Sequence, residues 1–452
     1  MSPGGLNTAL ESTWSAQSDL PVTDVALLER IAEDGNSGVV GCYEIRRRLG
    51  EGEFAAVYEV VRSDAKATAT TSSGASLKGP FALKAINKAK VQRHTSLLKS
   101  KRNIRRVNAE VTAMKRMCHA GVCELFDVAQ SPTTVYLVME MGERDLFTFV
   151  DDYPEGCPED VTKAIARILA LALRHCHKRG VAHRDLKPEN ILICGTPQEW
   201  ALKADSSEPS ELGIVKLCDF GLCAATREGA MLNDFVGSPG FFAPELMTRR
   251  QYDGAIADMW SLGAVMIEIV LGHRNFDVLW CPPYEHLHDV RAFAAGIDDA
   301  VARVKLTKAI RASEPLHRLF DKLLQIEPEK RSPAEDICTA PWFDLLKSTP
   351  EGLQHLLRLT FDHDSPDDDI GTRRIALREA PMLNSNKEDD GSTYSVVTDQ
   401  AQLQLHTEED NTKNLLLGIR SQPQNKQTKD LLLSPNEQFP PSLKTTEQTV
   451  TC

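Results

Sequence analysis

The 452-residue chain lacks any long apolar run, and its first thirty residues do not have the pattern of a secretory signal. No stretch of about eighteen apolar residues occurs, and Glu11, Asp19 and Asp24 lie where a secretory signal would be basic and then apolar. Both absences argue against membrane insertion and secretion. We therefore expect a cytoplasmic protein with no membrane partner, and we leave access to the nucleus open as an alternative.

Paired cysteines and an excess of basic charge are also missing. The eleven cysteines are scattered, and no two Cys-x-x-Cys pairs occur, so the sequence indicates neither a disulfide framework nor a zinc site. The formal net charge is −12, which argues against a nucleic-acid partner. We therefore expect the cysteines to be reduced thiols and the protein not to bind nucleic acid.

Composition divides the chain into three parts. Residues 346–452 hold 11 basic and 17 acidic side chains and only three aromatic ones, too few to bury a core, so we expect an acidic, mostly disordered tail. Residues 1–42 form an N-terminal extension that we expect to be mostly flexible, although Val25–Ile31 has the spacing of a short helix. The domain expected between them, residues 43–345, contains polar segments at 63–79 and 195–213 that are typical of mobile surface insertions.

The tail contains a short repeat. Residues 412–417, Thr-Lys-Asn-Leu-Leu-Leu, recur as Thr-Lys-Asp-Leu-Leu-Leu at 428–433. Apolar triplets in a polar tail could dock into a groove of a partner or of the central domain. Chance recurrence in a biased composition is an equally open alternative.

A glycine-containing turn lies between two expected strands. Tyr43–Leu49 and Val57–Arg62 have strand patterns, and Gly50 and Gly52 lie between them. Glycines allow backbone amides to approach phosphate oxygens. A Gly-x-Gly pattern alone is weak evidence for a phosphate-binding turn, since many such matches are ordinary turns.

A single cation interrupts the next apolar strand, Phe81–Ile86. An unpaired ammonium at Lys84 would be costly to bury, so it requires anionic partners. The alternative is a surface lysine at a strand end.

The strongest pattern is His183-Arg184-Asp185, followed by Asn190 and by Asp219-Phe220-Gly221. This spacing puts one carboxylate near a substrate hydroxyl and two oxygen ligands near magnesium ions. Few chemistries other than phosphoryl transfer need such a set.

The whole pattern over residues 43–345 resembles the eukaryotic protein kinase family, of serine/threonine type and closest in pattern to the calmodulin-dependent-kinase-like group. The resemblance implies an α+β, bilobal protein kinase fold. Its small lobe, residues 43–139, would be an antiparallel sheet with one helix, its hinge residues 140–144, and its mainly helical large lobe residues 145–345. ATP and Mg²⁺ would be the cofactors.

The resemblance also assigns roles to individual residues. Asp185 would be the catalytic base, Lys187 would neutralise the γ-phosphoryl group, and Lys84 would pair with Glu110. Asn190 and Asp219 would hold the metal ions. The nucleotide would contact Gly50, Glu51, Gly52, Glu53, Phe54, Ala55, Val57, Ala82, Lys84, Met139, Glu140, Met141, Leu192 and Asp219.

Further matches are structural. Val161–Arg179 predicts a long helix that starts near Pro158 and ends at Gly180. The family pattern also implies a pair between Arg331 and Glu245. It further implies a hydrophobic stack of Leu125, Met114, Phe220 and His183.

The activation segment, which would run from Asp219 to Glu245, suggests a mode of regulation. Asp234 occupies a site where relatives carry an activating phosphothreonine, so its carboxylate could pair with Arg184 and give basal activity without phosphorylation. The alternatives are that Asp234 is a solvated loop acid and that Thr226 is the acceptor. Ser238 would keep a hydroxyl that bridges the catalytic aspartate and lysine.

These residues favour a serine/threonine protein kinase that transfers the γ-phosphoryl group of ATP to protein substrates in signalling, as a monomer. The Lys187 position excludes the usual tyrosine-kinase pattern. The alternatives are a pseudokinase-type scaffold and a kinase of small molecules.

Overall fold

The computed structural model describes residues 23–24, 29–31, 37–63, 69–70, 76–77, 79–92, 97–194, 215–226, 229–306 and 313–344, all of them in one compact unit. The expected tail, its repeated triplets and the segment 195–213 lie outside the described residues.

The first part of the chain forms one large sheet and a small hairpin. Its strands are β1 (Thr23–Asp24), β2 (Glu29–Ile31), β3 (Gly38–Val40), β4 (Tyr43–Glu51), β5 (Ala55–Arg62), β6 (Ala69–Thr70), β7 (Ser76–Leu77), β8 (Phe81–Asn87), β9 (Leu125–Gln130) and β10 (Thr134–Met139). The order in the large sheet is β1-β9-β10-β8-β5-β4-β3-β2, and β6 pairs only with β7. All neighbours in the large sheet run antiparallel except β1 and β9.

Alternation along these strands produces two distinct faces. Residues such as Tyr58, Leu83 and Val138 lie opposite one another and are buried on the outer face, in the core of the small lobe. The residues between them, among them Val57 and Lys84, lie on the inner face. The inner face is therefore free to serve a site between the lobes.

The prediction of a helix over Val25–Ile31 was wrong where the structure describes it. Glu29–Ile31 is a strand that pairs antiparallel with Gly38–Val40 at the edge of the sheet. A helix of only seven residues is marginally stable on its own. An open sheet edge offers backbone hydrogen bonds that favour a strand instead. The sheet thus begins before residue 43, where the sequence placed the domain boundary.

Helices α1 (Lys88–Gln92) and α2 (Leu97–Arg116) connect the strands β8 and β9. The helix α2 carries Glu110, which is only 3% exposed, and Met114 toward the interior. This is the single long helix expected in the small lobe.

The large lobe is mainly helical. Its helices are α3 (Leu146–Val150), α4 (Glu159–Lys178), α5 (Glu245–Thr248), α6 (Gly254–Leu271), α7 (His273–Leu279), α8 (Val290–Leu306), α9 (Glu314–Leu323), α10 (Ala334–Cys338) and α11 (Pro341–Asp344). Its short strands are β11 (Arg144–Asp145), β12 (Val181–Ala182), β13 (Ile191–Ile193), β14 (Val215–Leu217) and β15 (Ala224–Ala225), and single 3₁₀ turns cover Pro188–Asn190, Pro282–Glu285 and Pro328–Lys330.

Two helices form the centre of this lobe. The helix α4 matches the predicted helix within two residues, and Gly180 ends it in the left-handed conformation, with φ of +70°. Asp253 caps the N-terminus of α6, and its carboxylate accepts hydrogen bonds from the amides of Ala255 and Ile256. Among the described helices, α6 alone is long and apolar enough to cross a membrane, but 83% of it is buried inside the protein, as a central core helix requires.

Candidate active site

The loop between β12 and β13 is fixed to the core helix α6 through one carboxylate. Asp258 accepts hydrogen bonds from the backbone amides of His183, at 2.8 Å, and Arg184, at 2.7 Å. The His177 ring contacts the same carboxylate at 2.9 Å. Arg184 has a φ of +67°, which is uncommon for a residue with a side chain and is held by these contacts.

Three of the predicted residues surround a fourth, Asp185. Ser238 Oγ donates to Asp185 Oδ1 at 2.8 Å, and Asn190 Nδ2 donates to Oδ2 at 3.0 Å. Lys187 Nζ lies 3.8 Å from Oδ2. The carboxylate is therefore oriented on both sides, with a cation beside it.

Three further predicted residues form a charged triangle. Lys84 Nζ lies 2.6 Å from Glu110 Oε1 and 2.8 Å from Asp219 Oδ1. The nearby Lys84 ammonium lowers the pKa of Asp219 to about 2, so this carboxylate is ionised at neutral pH. Burial opposes the charged form of Lys84, but the two carboxylates outweigh that cost and raise its pKa.

The backbone at Asp219 is strained and supported by packing. Its φ is +59°, and the next residue, Phe220, is fully buried against the His183 ring at a centroid distance of 4.9 Å. Met114 and Leu125 are buried as well, as the expected hydrophobic stack requires. Packing thus holds the Asp219 carboxylate beside Lys84.

The glycine-rich turn belongs to β4, β5 and the residues between them. Gly52 N donates to Ala55 O at 2.7 Å, and Glu53 and Phe54 form the tip. A Cβ added at Gly50 would meet nothing within 4 Å, and one at Gly52 would meet only Ala55 O at 3.8 Å. Packing inside the protein does not require either glycine, so the open space favours the approach of a ligand.

The inner face and the hinge hold most of the remaining predicted nucleotide residues. Val57 pairs with Lys84 in register, and Ala82 pairs with Met139. At Gly142, an added Cβ would come within 2.6 Å of Leu192 Cβ, so this glycine lets the hinge lie directly on Leu192. Met141 lies between these positions and is half-buried.

Glu140 is tied into the protein by its side chain and amide. Its Oε1 lies 2.7 Å from Lys216 Nζ in a pair in which both side chains are buried, and its amide donates to Glu124 O at 2.9 Å. Lys216 was missed by sequence reasoning. The signal was present, because Lys216 is a lone cation in the apolar strand β14, as Lys84 is in β8.

Asp234 meets two arginines. Its Oδ1 lies 2.5 Å from Arg184 Nη1, and its Oδ2 lies 3.8 Å from Arg106 Nη2 on α2. Tyr252 Oη donates to the Asp234 carbonyl at 2.9 Å and accepts from Arg184 Nη1 at 3.1 Å. The contact with Arg184 agrees with the hypothesis made from sequence, whereas Arg106 and Tyr252 had no sequence signal.

The thiol of Cys218 lies next to Asp219 in the chain. Burial raises the pKa of Cys218 well above its usual value, so the neutral thiol predominates. No disulfide joins any of the ten cysteines within the described ranges.

Comparison with known proteins agrees with this geometry. The sequence model of the family described as protein kinase domain matches residues 43–343 of this chain. CBL-interacting protein kinase 4 of Oryza sativa subsp. japonica is 33% identical over 325 residues, or 71% of this chain and 61% of that protein. CBL-interacting protein kinase 19 of the same organism is 30% identical over 336 residues, or 73% and 56%.

A third relative is the SNF-related serine/threonine-protein kinase of Homo sapiens, 28% identical over 313 residues, or 69% of this chain and 35% of that protein. The chain thus spans about a third to three fifths of the length of these relatives. The chain belongs to the protein kinase family, and the predicted family and bilobal α+β fold are confirmed.

Proposed function

We propose that the protein is an ATP-dependent kinase that phosphorylates serine and threonine residues of protein substrates. The observation that carries this proposal is the complete triangle of Lys84, Glu110 and Asp219 beside an oriented Asp185. A site that only bound nucleotide, without phosphoryl transfer, would not need both the charged triangle and the oriented Asp185. The relatives named as protein kinases support the same reading.

The roles follow from charge and geometry. Asp185 takes the proton of the attacking hydroxyl, since Ser238 and Asn190 hold its carboxylate in place. Lys187 neutralises charge on the γ-phosphoryl group during its transfer, and Lys84 binds the α- and β-phosphates of ATP. The open space at Gly50 and Gly52 accepts the phosphate chain of ATP.

The residues present also suit Mg²⁺. Asn190 uses its amide nitrogen for Asp185, which leaves its carbonyl oxygen as a ligand, and Asp219 is ionised and nearly half exposed. In the described parts of the chain no group of three or more His, Cys, Asp or Glu could hold a metal by itself. This agrees with Mg²⁺, which uses one or two protein ligands together with substrate phosphates and, when bound, neutralises phosphate charge.

Serine and threonine are the acceptors that the loop favours. Lys187 stands where tyrosine kinases carry other residues, and Ser238 keeps the hydroxyl that contacts Asp185. The pseudokinase alternative is less favoured, because Lys84, Asp185, Asn190 and Asp219 are all present.

The direct test is transfer of labelled γ-phosphate from ATP and Mg²⁺ to a mixed library of Ser, Thr and Tyr peptides, followed by phosphoamino-acid analysis. We expect label on serine and threonine only. Label on tyrosine would contradict the acceptor assignment. Absence of label with every peptide, while ATP still binds, would favour the scaffold alternative.

We further propose that Asp234 replaces an activating phosphate. Its carboxylate joins Arg184 of the catalytic loop to Arg106 of the helix that carries Glu110, so one fixed charge couples both halves of the site. The Arg106 contact is long and partly exposed, and Arg184 therefore carries most of the effect.

Asp234→Asn is expected to lower kcat by about tenfold, because a neutral amide loses the charge-assisted contact with Arg184. Phosphatase treatment of the wild-type protein should leave its activity unchanged. Asp234→Glu serves as the charge-matched control and should recover most of the rate. Loss of wild-type activity on dephosphorylation, mapped to the activation segment, would refute this mode of regulation.

A further inference from the structure

The hinge carries a buried ion pair that the proposed phosphoryl transfer does not use. Glu140 Oε1 lies 2.7 Å from Lys216 Nζ, and the two side chains are only 8% and 6% exposed. The pair belongs neither to the charged triangle nor to the contacts of Asp185. A buried ion pair often stabilises a protein no more than apolar side chains of the same size, because both ions lose their hydration. Stability alone therefore does not account for a cation at this position.

On the hinge side, the carboxylate and the backbone of Glu140 are held by the same short segment. Glu140 Oε2 accepts a hydrogen bond from the amide of Glu124 at 3.3 Å, and the Glu140 amide donates to the Glu124 carbonyl at 2.9 Å. The Glu140 carbonyl accepts from the Cys123 thiol at 3.4 Å. A displacement of the carboxylate therefore displaces the backbone with which the hinge begins.

On the other side, Lys216 belongs to β14, the strand that ends just before Asp219. Lys216 lies opposite Leu192 in the register of β13 and β14. The carbonyl of the next residue, Leu217, accepts a hydrogen bond from the amide of Cys123 at 2.9 Å. The ion pair and this hydrogen bond therefore join β14 both to the hinge and to the segment that holds the hinge.

The hinge lies where the base of ATP is expected. The charged residues and the glycine-rich turn are proposed to hold the phosphates and the metal, which leaves the apolar predicted residues for the base. Among these, Ala82 and Met139 pair in register, and Leu192 lies directly against Gly142 of the hinge. A planar base in such a cleft is oriented by hydrogen bonds along its edge to the hinge backbone, and a displacement of about 1 Å is enough to weaken them.

We propose that Lys216 is a positioning residue for the base of ATP and acts through Glu140. Its role is to neutralise the Glu140 carboxylate and to fix the start of the hinge to β14. Without this cation the buried carboxylate has to turn toward water, because an uncompensated charge is costly in the interior. The hinge backbone moves with it, and the edge of the base loses hydrogen bonds. The inference rests on the proposed function for the identity of the nucleotide.

Lys216→Met removes the cation and keeps an unbranched side chain of similar length. We expect the KM for ATP to rise about tenfold, the effect of one lost hydrogen bond to the base, while kcat stays within about twofold of the wild-type value. Lys216→Arg keeps the charge and should recover most of the affinity for ATP. A kcat that falls as much as the affinity would overturn the positioning role.

A second measurement separates the two ends of the nucleotide, by ligand-observed NMR on the full chain. Adenosine probes the hinge, and tripolyphosphate with Mg²⁺ probes the phosphate end. Lys216→Met should weaken binding of adenosine about tenfold and leave the Kd of tripolyphosphate unchanged, whereas Lys84→Met should do the reverse. Loss of both ligands in Lys216→Met would show a general structural role and would also overturn the proposal.

Lys178→Met is the matched control, because Lys178 Nζ lies 3.0 Å from Glu335 Oε2 in a pair whose side chains are both more than half exposed. It should change neither Kd. Thermal unfolding verifies that each variant folds. If Lys216→Met does not fold, Lys216→Gln serves in its place, since it keeps a donor for the carboxylate and should give a smaller loss of adenosine binding in the same direction.

The outcomes distinguish this inference from the proposed function. Adenosine binding by a wild-type protein that transfers no phosphate would refute the proposed function, and a loss of that binding in Lys216→Met would still support the positioning role. An unchanged Kd for adenosine in folded Lys216→Met, or no adenosine binding by the wild-type protein, would overturn the role of Lys216.

Discussion

Asp185→Asn is expected to lower the rate of phosphoryl transfer by about a hundred- to ten-thousand-fold, the range that a positioned general base contributes. Asparagine keeps the size of the side chain and can still accept a hydrogen bond from Ser238, which lies 2.8 Å from Asp185 Oδ1. It cannot take the proton of the attacking hydroxyl. The measurement is kcat for a peptide substrate together with the Kd for an ATP analogue.

The Kd for the analogue should remain close to the wild-type value, because Lys84, Glu110 and Asp219 contact one another rather than Asp185. Asp152→Asn is the matched control, since Asp152 is a surface aspartate paired with Arg144. It should retain full activity. A fall of less than tenfold in Asp185→Asn, with unchanged ATP binding, would show that Asp185 is not the base.

Arg331→Met is expected to lower the free energy of unfolding by about 3–5 kcal/mol, as expected when one partner of a buried ion pair is removed. Arg331 makes two contacts with Glu245, at 2.6 and 2.9 Å, and the side chains are 0% and 1% exposed. Its guanidinium also donates to the carbonyls of Gln325 and Ile256. The substitution leaves a buried carboxylate without its cation.

Denaturant unfolding of two comparison variants provides the controls. Arg249 also forms a two-contact pair, with Glu329, but both side chains are largely exposed, so Arg249→Met should have little effect on the free energy of unfolding. A double variant with Arg331→Met and Glu245→Leu should be more stable than Arg331→Met alone, because no buried charge remains. Equal losses for Arg331→Met and Arg249→Met would refute the role of burial.

Much of the site could be predicted from sequence because its parts are short and local. The lone Lys84 in an apolar strand, the spacing of Asp185 and Asn190, and the alternation of β8 each need only a few neighbouring residues. The fold then brings these distant segments together, and Lys84 Nζ lies 2.8 Å from Asp219 Oδ1. These patterns retain their meaning without knowledge of the fold.

Other features could not be predicted, because they depend on contacts between distant segments. Arg106 and Asp234 are 128 residues apart, and no local pattern marks Arg106 as a partner of the activation segment. The N-terminal strand Glu29–Ile31 takes its conformation from the sheet edge beside it rather than from its own helical spacing.

The carboxylate of Asp258 has a consequence for how the protein loses function. It joins the left-handed backbone at Arg184 to the most deeply buried helix, so the catalytic loop cannot relax on its own while that helix remains folded. Local opening of the loop would require disruption of the core of the large lobe. Heat inactivation should therefore coincide with global unfolding of this lobe, and substitutions deep in the core will change activity and thermal resistance together.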